Sequence, residues 1–346
     1  INSSIFFNTT KPKFKDTAVS SNTSKSIMLK IENSKTYDKI KNIENDKVFD
    51  DDGFKVDKDI KVTFLSTWKI KCGIATYTSY LLDSINKDKK IAIANILPLH
   101  KQKLFYKIEN DIIHLQHEFG IMPHKVETKS KTIVTFHTVF QDSEVVTNDL
   151  ERMFNIVGYI VHSDIAKNAL KLCTKKDVYI IPHGSMVNRY INKNTKKYIR
   201  NKLNFYKYGT DSSDKYAFVF GFQSGNKNFN RIIDACKNVG IKVIISGAKH
   251  ECGYINDLKL DDKKNVIFLN KFLTDDEVDS YAFACDLLIF DYVIGKEYSC
   301  SGAMHRVVGS GNPVICSRIN HFMDITEKMD CLKFSNRPEL ELKIKE

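Results

Sequence analysis

At 346 residues, with 42% hydrophobic and 27% charged side chains, the chain is long enough for two domains and has the composition of a globular protein. Its longest apolar run, IAIANILPL (91–99), is interrupted by Asn95 and Pro98 and falls short of the ~18 residues that span a bilayer. The net charge of +11 permits a polyanionic neighbour: nucleic acid, an anionic membrane surface or a nucleotide diphosphate. The eight cysteines form no C-x-x-C pair, which argues against a zinc framework and predicts reduced thiols in a cytoplasmic compartment.

Residues 1–58 are polar and rich in Lys, Asn, Ser and Asp, and they contain no run long enough for a signal-peptide core. They predict a weakly ordered arm. The Asp50-Asp51-Asp52 cluster that closes it has no strand-end context and is a poor metal site.

Ordered periodicity starts with KVTFLST (61–67), a compact buried-strand run. WKIKCGIA (68–75) predicts a loop, and TYTSYLLDSI (76–85) puts Tyr77, Leu81, Leu82 and Ile85 on one helical face. This turn has one glycine, Gly73, and matches neither G-x-G-x-x-G nor a Walker A sequence. Strands are predicted at 91–97, 111–117, 132–138, 157–163 and 177–184, with a helix at 163–172 that opens on a Ser163 cap. Buried strands alternating with helices predict a parallel, doubly wound sheet. Residues 191–214 form a Lys-, Arg- and Tyr-rich linker. A second series follows, with strands at 215–222, 242–247, 265–270, 286–290 and 313–317. Its clearest helices lie at 229–240 and 274–285, the latter opening on a Thr274/Glu277 capping box. The expected architecture is α/β: two Rossmann-like doubly wound domains, 59–190 and 215–346, facing across a cleft.

Several predicted strands carry histidine at their carboxyl ends: His114 and His117, His137, and His183. Such ends line one crevice in a parallel sheet, so these rings are expected to converge, with Glu118 adding a carboxylate. No ligand pair has metal-site spacing, and no metal is expected. In the second series, GFQSGNKNFNRIIDA (221–235) reads strand, loop, helix, with Lys227 just before the helix. IGKEYSCSGAMHRVVGSGNPVICS (294–317) reads loop, short helix, tight turn, strand. Its helix, expected from Ala303 to Val308, is entered through Ser301-Gly302, where free N–H groups favour an anion. Lys227 and that helix start, facing one cleft, fit a diphosphate.

STWKIKCGIATYTSYLL (66–82), DIIHLQHEFGI (111–121), TIVTFHT (132–138), VHS (161–163) and IPHG (181–184) resemble the N-terminal domain of family 4 glycosyltransferases, which have the GT-B fold. GFQSGNKNFNRIIDA, NKFLTDDEVDSYAFACDLLIFDY (270–292) and SCSGAMHRVVGSGNPVI (299–315) resemble their nucleotide-sugar domain. The resemblance covers roughly residues 60 to 320, with the motifs in the family's order. It implies retaining, metal-independent transfer from a UDP- or GDP-sugar to a hydroxyl, with no other cofactor. In that scheme Lys227 and the backbone at Cys300, Ser301, Gly302 and Ala303 neutralise the departing diphosphate. Gly73 and Cys72 lie opposite, His137 and Glu297 contact the reacting sugar, and His117, Glu118 and His183 line the acceptor side. The implied acceptor is a glycan or lipid-linked glycan, and the basic balance adds hydroxylated DNA.

Two positions depart from the family pattern. Arg306 stands where a Glu holds the ribose, and Phe222-Gln223 replace a common Arg. Arg306 cannot accept a hydrogen bond from a ribose hydroxyl, which leaves the nucleotide open and supplies a second reading, a degenerate transferase fold kept as a scaffold.

Overall fold

The computed structural model describes residues 60–86, 91–98, 111–119, 128–205, 213–248, 258, 265–325 and 331–346. The predicted arm at 1–58, with its Asp cluster, lies outside them, as does Cys252.

In chain order the first half holds β1 (Ile60–Ser66), α1 (Gly73–Ile85), β2 (Ile91–Pro98), β3 (Ile112–His117), β4 (Lys131–Phe136), β5 (Thr138–Phe140), α2 (Ser143–Leu150), β6 (Ile156–Val161), α3 (Asp164–Lys171) and β7 (Val178–Ile180). The second half holds α4 (Lys196–Lys202), β8 (Tyr216–Phe220), α5 (Phe229–Val239), β9 (Lys242–Ser246), β10 (Val266–Leu269), α6 (Asp275–Ala284), β11 (Leu287–Phe290), β12 (Glu297–Ser299), α7 (Gly302–Val307), β13 (Val314–Ser317), β14 (Cys331–Phe334) and α8 (Arg337–Lys345).

Two six-stranded sheets result, ordered β2-β1-β3-β4-β6-β7 and β10-β9-β8-β11-β13-β14. Every pairing within them is parallel. The order reverses between β1 and β3 in one sheet and between β8 and β11 in the other. Crossovers leave on opposite faces at such a point and open a crevice beyond the strand ends. The strands are buried on both sides, as their unbroken apolar runs require. In β8, Tyr216 and Phe218 pack into one core, while Ala217 and Val219 pack into the opposite one with Ile232, Ile233 and Leu340.

Local chemistry sets the helix boundaries. Ser163 accepts from the Ala166 N–H, Thr274 and Glu277 form the predicted capping box, and α5 ends on Gly240 at φ 80°, in the left-handed region. The loop predicted over 68–75 is shorter than expected. Helix α1 starts at Gly73, because Cys72 is extended and its carbonyl already accepts from the Thr76 N–H at 3.1 Å.

The strand predicted over 132–138 is two strands. After Phe136 the His137 N–H bonds the His117 carbonyl at 3.3 Å. The chain then leaves the sheet, and Thr138–Phe140 pairs antiparallel with Glu297–Ser299 of the other half. This two-stranded ladder ties the halves together. The Tyr80 hydroxyl of α1 donates to Asp275 of α6 at 2.9 Å, a second tie.

Part of the stretch predicted as a basic linker is helical and lies on the second half. Arg200 of α4 bonds the Ala284 carbonyl at 2.9 Å and Asp286 at 2.8 Å. Lys196 bonds the Cys285 carbonyl at 2.7 Å. Arg189 contacts Asp279 at 2.6 Å, and Lys202 contacts Asp276 at 3.4 Å. Arg189, Lys196, Arg200 and Lys202 are thus engaged with the chain's own carboxylates and carbonyls.

Candidate active site

The site begins at Gly221, where β8 ends. Its φ of +130° suits glycine, and a Cβ there would lie 2.3 Å from Lys227 Nζ and 3.3 Å from Ala303 Cβ. One missing side chain thus leaves the space in which Lys227 and the start of α7 meet. Lys227 is 8% exposed. Its loop is held by an antiparallel bridge to Tyr292 and by its own N–H on the Ser224 carbonyl at 3.0 Å. Next to it, the Asn228 N–H donates to the Asp291 carbonyl at 2.9 Å, just beyond β11. Lys227 therefore sits at the order reversal between β8 and β11. Burial pushes its amine down to about 7.

Tyr292 joins the amine to the helix. Lys227 Nζ lies 5.2 Å from its ring centroid, and its hydroxyl is 3.1 Å from Ser301 Oγ. Burial pushes the phenol up to about 12, so it stays protonated. Ser301 caps α7 by accepting from the Met304 N–H at 3.3 Å. The helix runs Gly302–Val307, one residue earlier at each end than expected. Gly221, Lys227, Tyr292, Ser301, Gly302 and Ala303 thus form one contiguous group, of which Tyr292 and Gly221 escaped the sequence reading. Tyr292 stands inside an ordinary strand-end pattern, and the spacing from Gly221 to Gly225 matches no phosphate-loop motif.

Across from this group, Tyr77 of α1 gathers three histidines from the ends of adjacent strands. Its ring lies 4.8 Å from His137, 5.4 Å from His162 and 5.1 Å from His183. His183 reaches the other half, with Nε2 3.7 Å from where a Cβ on Gly302 would stand. Burial holds these imidazoles neutral. His137 is well below its ordinary value, through burial and then its neighbours His162 and His183, and His183 falls to about 3 for similar reasons. His137 Nε2 meets Gln116 Oε1 at 2.9 Å; with that oxygen accepting, Nε2 carries the proton and Nδ1 keeps its lone pair. His162 was visible only as part of VHS, and Tyr77 only as one apolar position on a helix.

His114 and His117 do not join this cluster. His114 bonds Thr135 at 2.8 Å and packs on Phe64, and burial lowers it to about 4. His117 is 0% exposed, bonds Asp149 at 3.0 Å and lies among Phe119 and Phe136. Strand periodicity gives the end of the sheet at which a residue lies, not its depth.

Glu118 and Glu297 lie beside the ladder between β5 and β12. Glu118 accepts from Thr138 Oγ1 at 2.9 Å and from the Phe119 N–H at 3.1 Å. Burial, with the Glu297 charge adding, pushes it up to about 7. Glu297 is also raised by burial, and its carboxylate folds back over Gly295. Cys300 lies before the cap, its thiol pushed up by burial and by Asp324. Cys72 accepts from Thr67 Oγ1 at 3.5 Å, and a Cβ on Gly73 would meet nothing within 4 Å, so the start of α1 is open.

Arg306 is engaged with α6. At 9% exposure, its guanidinium bonds Asp279 at 2.6 Å and the Asp275 carbonyl at 3.0 Å. Gln223 is likewise occupied, donating to the Gly247 carbonyl at 2.6 Å. Phe222 packs on Phe272 with centroids 5.8 Å apart. Among the described residues no group of three His, Cys, Asp or Glu side chains is placed to hold a metal ion, and no helix is long and apolar enough to cross a membrane.

No protein-family model matches the sequence, and no curated protein does. Solved structures do match. HepE from Anabaena, in complex with UDP and glucose, is 13% identical over 82% of this chain and 89% of its own, with a TM-score of 0.58. A glycosyltransferase from Rickettsia africae ESF-5 is 14% identical over 84% and 88%, with a TM-score of 0.62. Sucrose-phosphate synthase from Thermosynechococcus elongatus is 12% identical over 83% and 89%, with a TM-score of 0.59. With two six-stranded parallel sheets, each with one strand-order reversal, and with this likeness to the solved structures, the chain has the GT-B fold.

Proposed function

We propose that the protein is a glycosyltransferase that moves a sugar from a UDP-sugar to a hydroxyl acceptor. The observation that carries this is the convergence of Lys227, Tyr292 and the start of α7 in the space left by Gly221. A departing diphosphate develops negative charge. An amine and a hydroxyl fixed in a water-poor cleft stabilise it without reorganising. UDP is preferred over GDP because HepE carries UDP and UDP-glucose in its solved complexes. In this reading the transfer is retaining and needs no metal, His137 touches the reacting sugar, and the open start of α1 at Gly73 faces the phosphates. His183 and Glu118 border the acceptor. Residues 191–214 divide the two domains.

The acceptor in this proposal is a hydroxyl of a glycan or lipid-linked glycan. The version with a hydroxylated DNA base loses much of its support, because Arg189, Lys196, Arg200 and Lys202 already have partners. The scaffold reading is favoured by one observation, the commitment of Arg306 to Asp275 and Asp279. Calorimetry separates the two: the enzyme binds UDP and releases it from a UDP-sugar, whereas a scaffold binds neither UDP nor GDP.

Binding should also show a proton signature. Burial holds the Lys227 amine at about 7 before the nucleotide binds, and a diphosphate beside it raises that value. At about pH 8.5 UDP binding is therefore expected to take up a proton, and affinity to fall by up to about tenfold per pH unit above 7. Calorimetry in buffers of different ionisation enthalpy measures the uptake directly. Binding without proton uptake would remove Lys227 from the phosphate site.

A further inference from the structure

Where the two halves meet, three side chains form an arrangement that sugar transfer does not use. Ser185 Oγ lies 2.7 Å from Nδ1 of His305, and Nε2 of the same ring lies 2.5 Å from Oδ2 of Asp324. Ser185 is exposed, His305 is 5% exposed, and the Asp324 side chain is 10% exposed. The order is an accessible hydroxyl, a buried imidazole and a buried carboxylate.

The carboxylate fixes the tautomer. Burial pushes Asp324 up, but its bonds to His305 and Cys300 outweigh this and hold it below the usual carboxyl range. An ionised carboxylate only accepts, so in the neutral ring Nε2 carries the proton and Nδ1 presents a lone pair. The Ser185 hydroxyl therefore donates to Nδ1, as a nucleophile does to its base. The ring is held in place as well: His183 stacks on it at 4.5 Å, and the Met186 N–H bonds the His305 carbonyl at 3.3 Å. The same loop exposes apolar side chains close to the hydroxyl in sequence, with Ile181 49%, Met186 37% and Val187 77% exposed.

We propose that Ser185, His305 and Asp324 form a second, hydrolytic site that takes esters with a short apolar acyl group. Ser185 Oγ attacks the ester carbonyl carbon while its proton passes to His305 Nδ1. The tetrahedral adduct collapses, the C–O bond to the alcohol breaks, and the alcohol leaves with the proton from Nδ1. Water then attacks the acyl-serine, giving one proton to Nδ1. Collapse releases the carboxylic acid and returns that proton to Ser185. Asp324 accepts from Nε2 throughout and stabilises the transient imidazolium.

The test uses the full chain. It is treated with a fluorophosphonate and its peptides are mapped by mass, and in parallel it is assayed with p-nitrophenyl butyrate. A phosphonyl adduct on Ser185 is expected, with p-nitrophenol release at least about a hundredfold lower in S185A and also reduced in D324N. Because Ser185 is exposed, S185A leaves the fold intact, and circular dichroism confirms that. Either of two results overturns the proposal: no adduct at Ser185, or equal p-nitrophenol release by S185A and the unaltered chain. The three residues would then only brace the junction.

Discussion

Replacing Lys227 with alanine is expected to slow UDP release from a UDP-sugar by roughly two to three orders of magnitude, the ~2.7–4 kcal/mol carried by a fixed donor to a charged transition state. The amine is 8% exposed and lies at the β8/β11 reversal, beside Tyr292, whose hydroxyl reaches Ser301. Lys227→Met keeps the volume of the stem and should lose as much activity, which separates charge from packing. Stability should move the other way. The folded amine titrates near 7, below the ~10.4 of an unfolded lysine. As pH falls from about 10 the unfolded chain takes up the proton first, so this lysine destabilises the fold increasingly down to about 7 and by a constant amount below that. Lys227→Met is therefore expected to melt no lower than the unaltered chain, with its advantage largest at and below neutral pH. Retained turnover in both variants, with UDP still bound, would refute the assignment of Lys227 to the leaving diphosphate.

Asp279→Ala is expected to cost about 3–5 kcal/mol of stability, the usual result of removing one partner of a buried ion pair. Its carboxylate binds Arg306 at 2.6 Å and Arg189 at 2.6 Å. Arg189 is about half exposed and water can take over its charge, whereas Arg306 is 9% exposed and would keep Asp275 and the Tyr80 hydroxyl but lose its buried carboxylate. A lower urea midpoint with an unchanged slope is the expected readout. The double variant Asp279→Leu/Arg306→Met removes both charges and should recover much of the loss. An unchanged midpoint in Asp279→Ala would mean that the pair contributes nothing. Arg306→Glu should be worse still, because it places a carboxylate against Asp275 and Asp279.

That network shows why the departure from the family pattern was legible and its meaning was not. Position 306 lies in a motif whose spacing is plain, so the missing glutamate stands out in one dimension. Its partners are 27 and 31 residues away on another helix. Only the crossing of α6 with α7 reveals that the charge was recruited for packing. The same division holds for the histidines. Their places at strand ends follow from hydrophobic runs, but whether a ring joins Tyr77 in the cleft, as His137 and His183 do, or sinks beside Asp149 as His117 does, depends on neighbouring strands.

By itself the amino-acid order determined the alternation of strands and helices, the capping of α3 and α6 and the resemblance to GT-B transferases. These depend on periodicity and on contacts a few residues apart. Tertiary structure alone decided that Gly221 opens the space for Lys227, that Thr138–Phe140 leaves its sheet for Glu297–Ser299, and that Ser185 finds a base 120 residues away. Those are meetings between distant segments. They are set by which strand lies next to which and by where buried polar atoms find partners, and local sequence carries no signal of either.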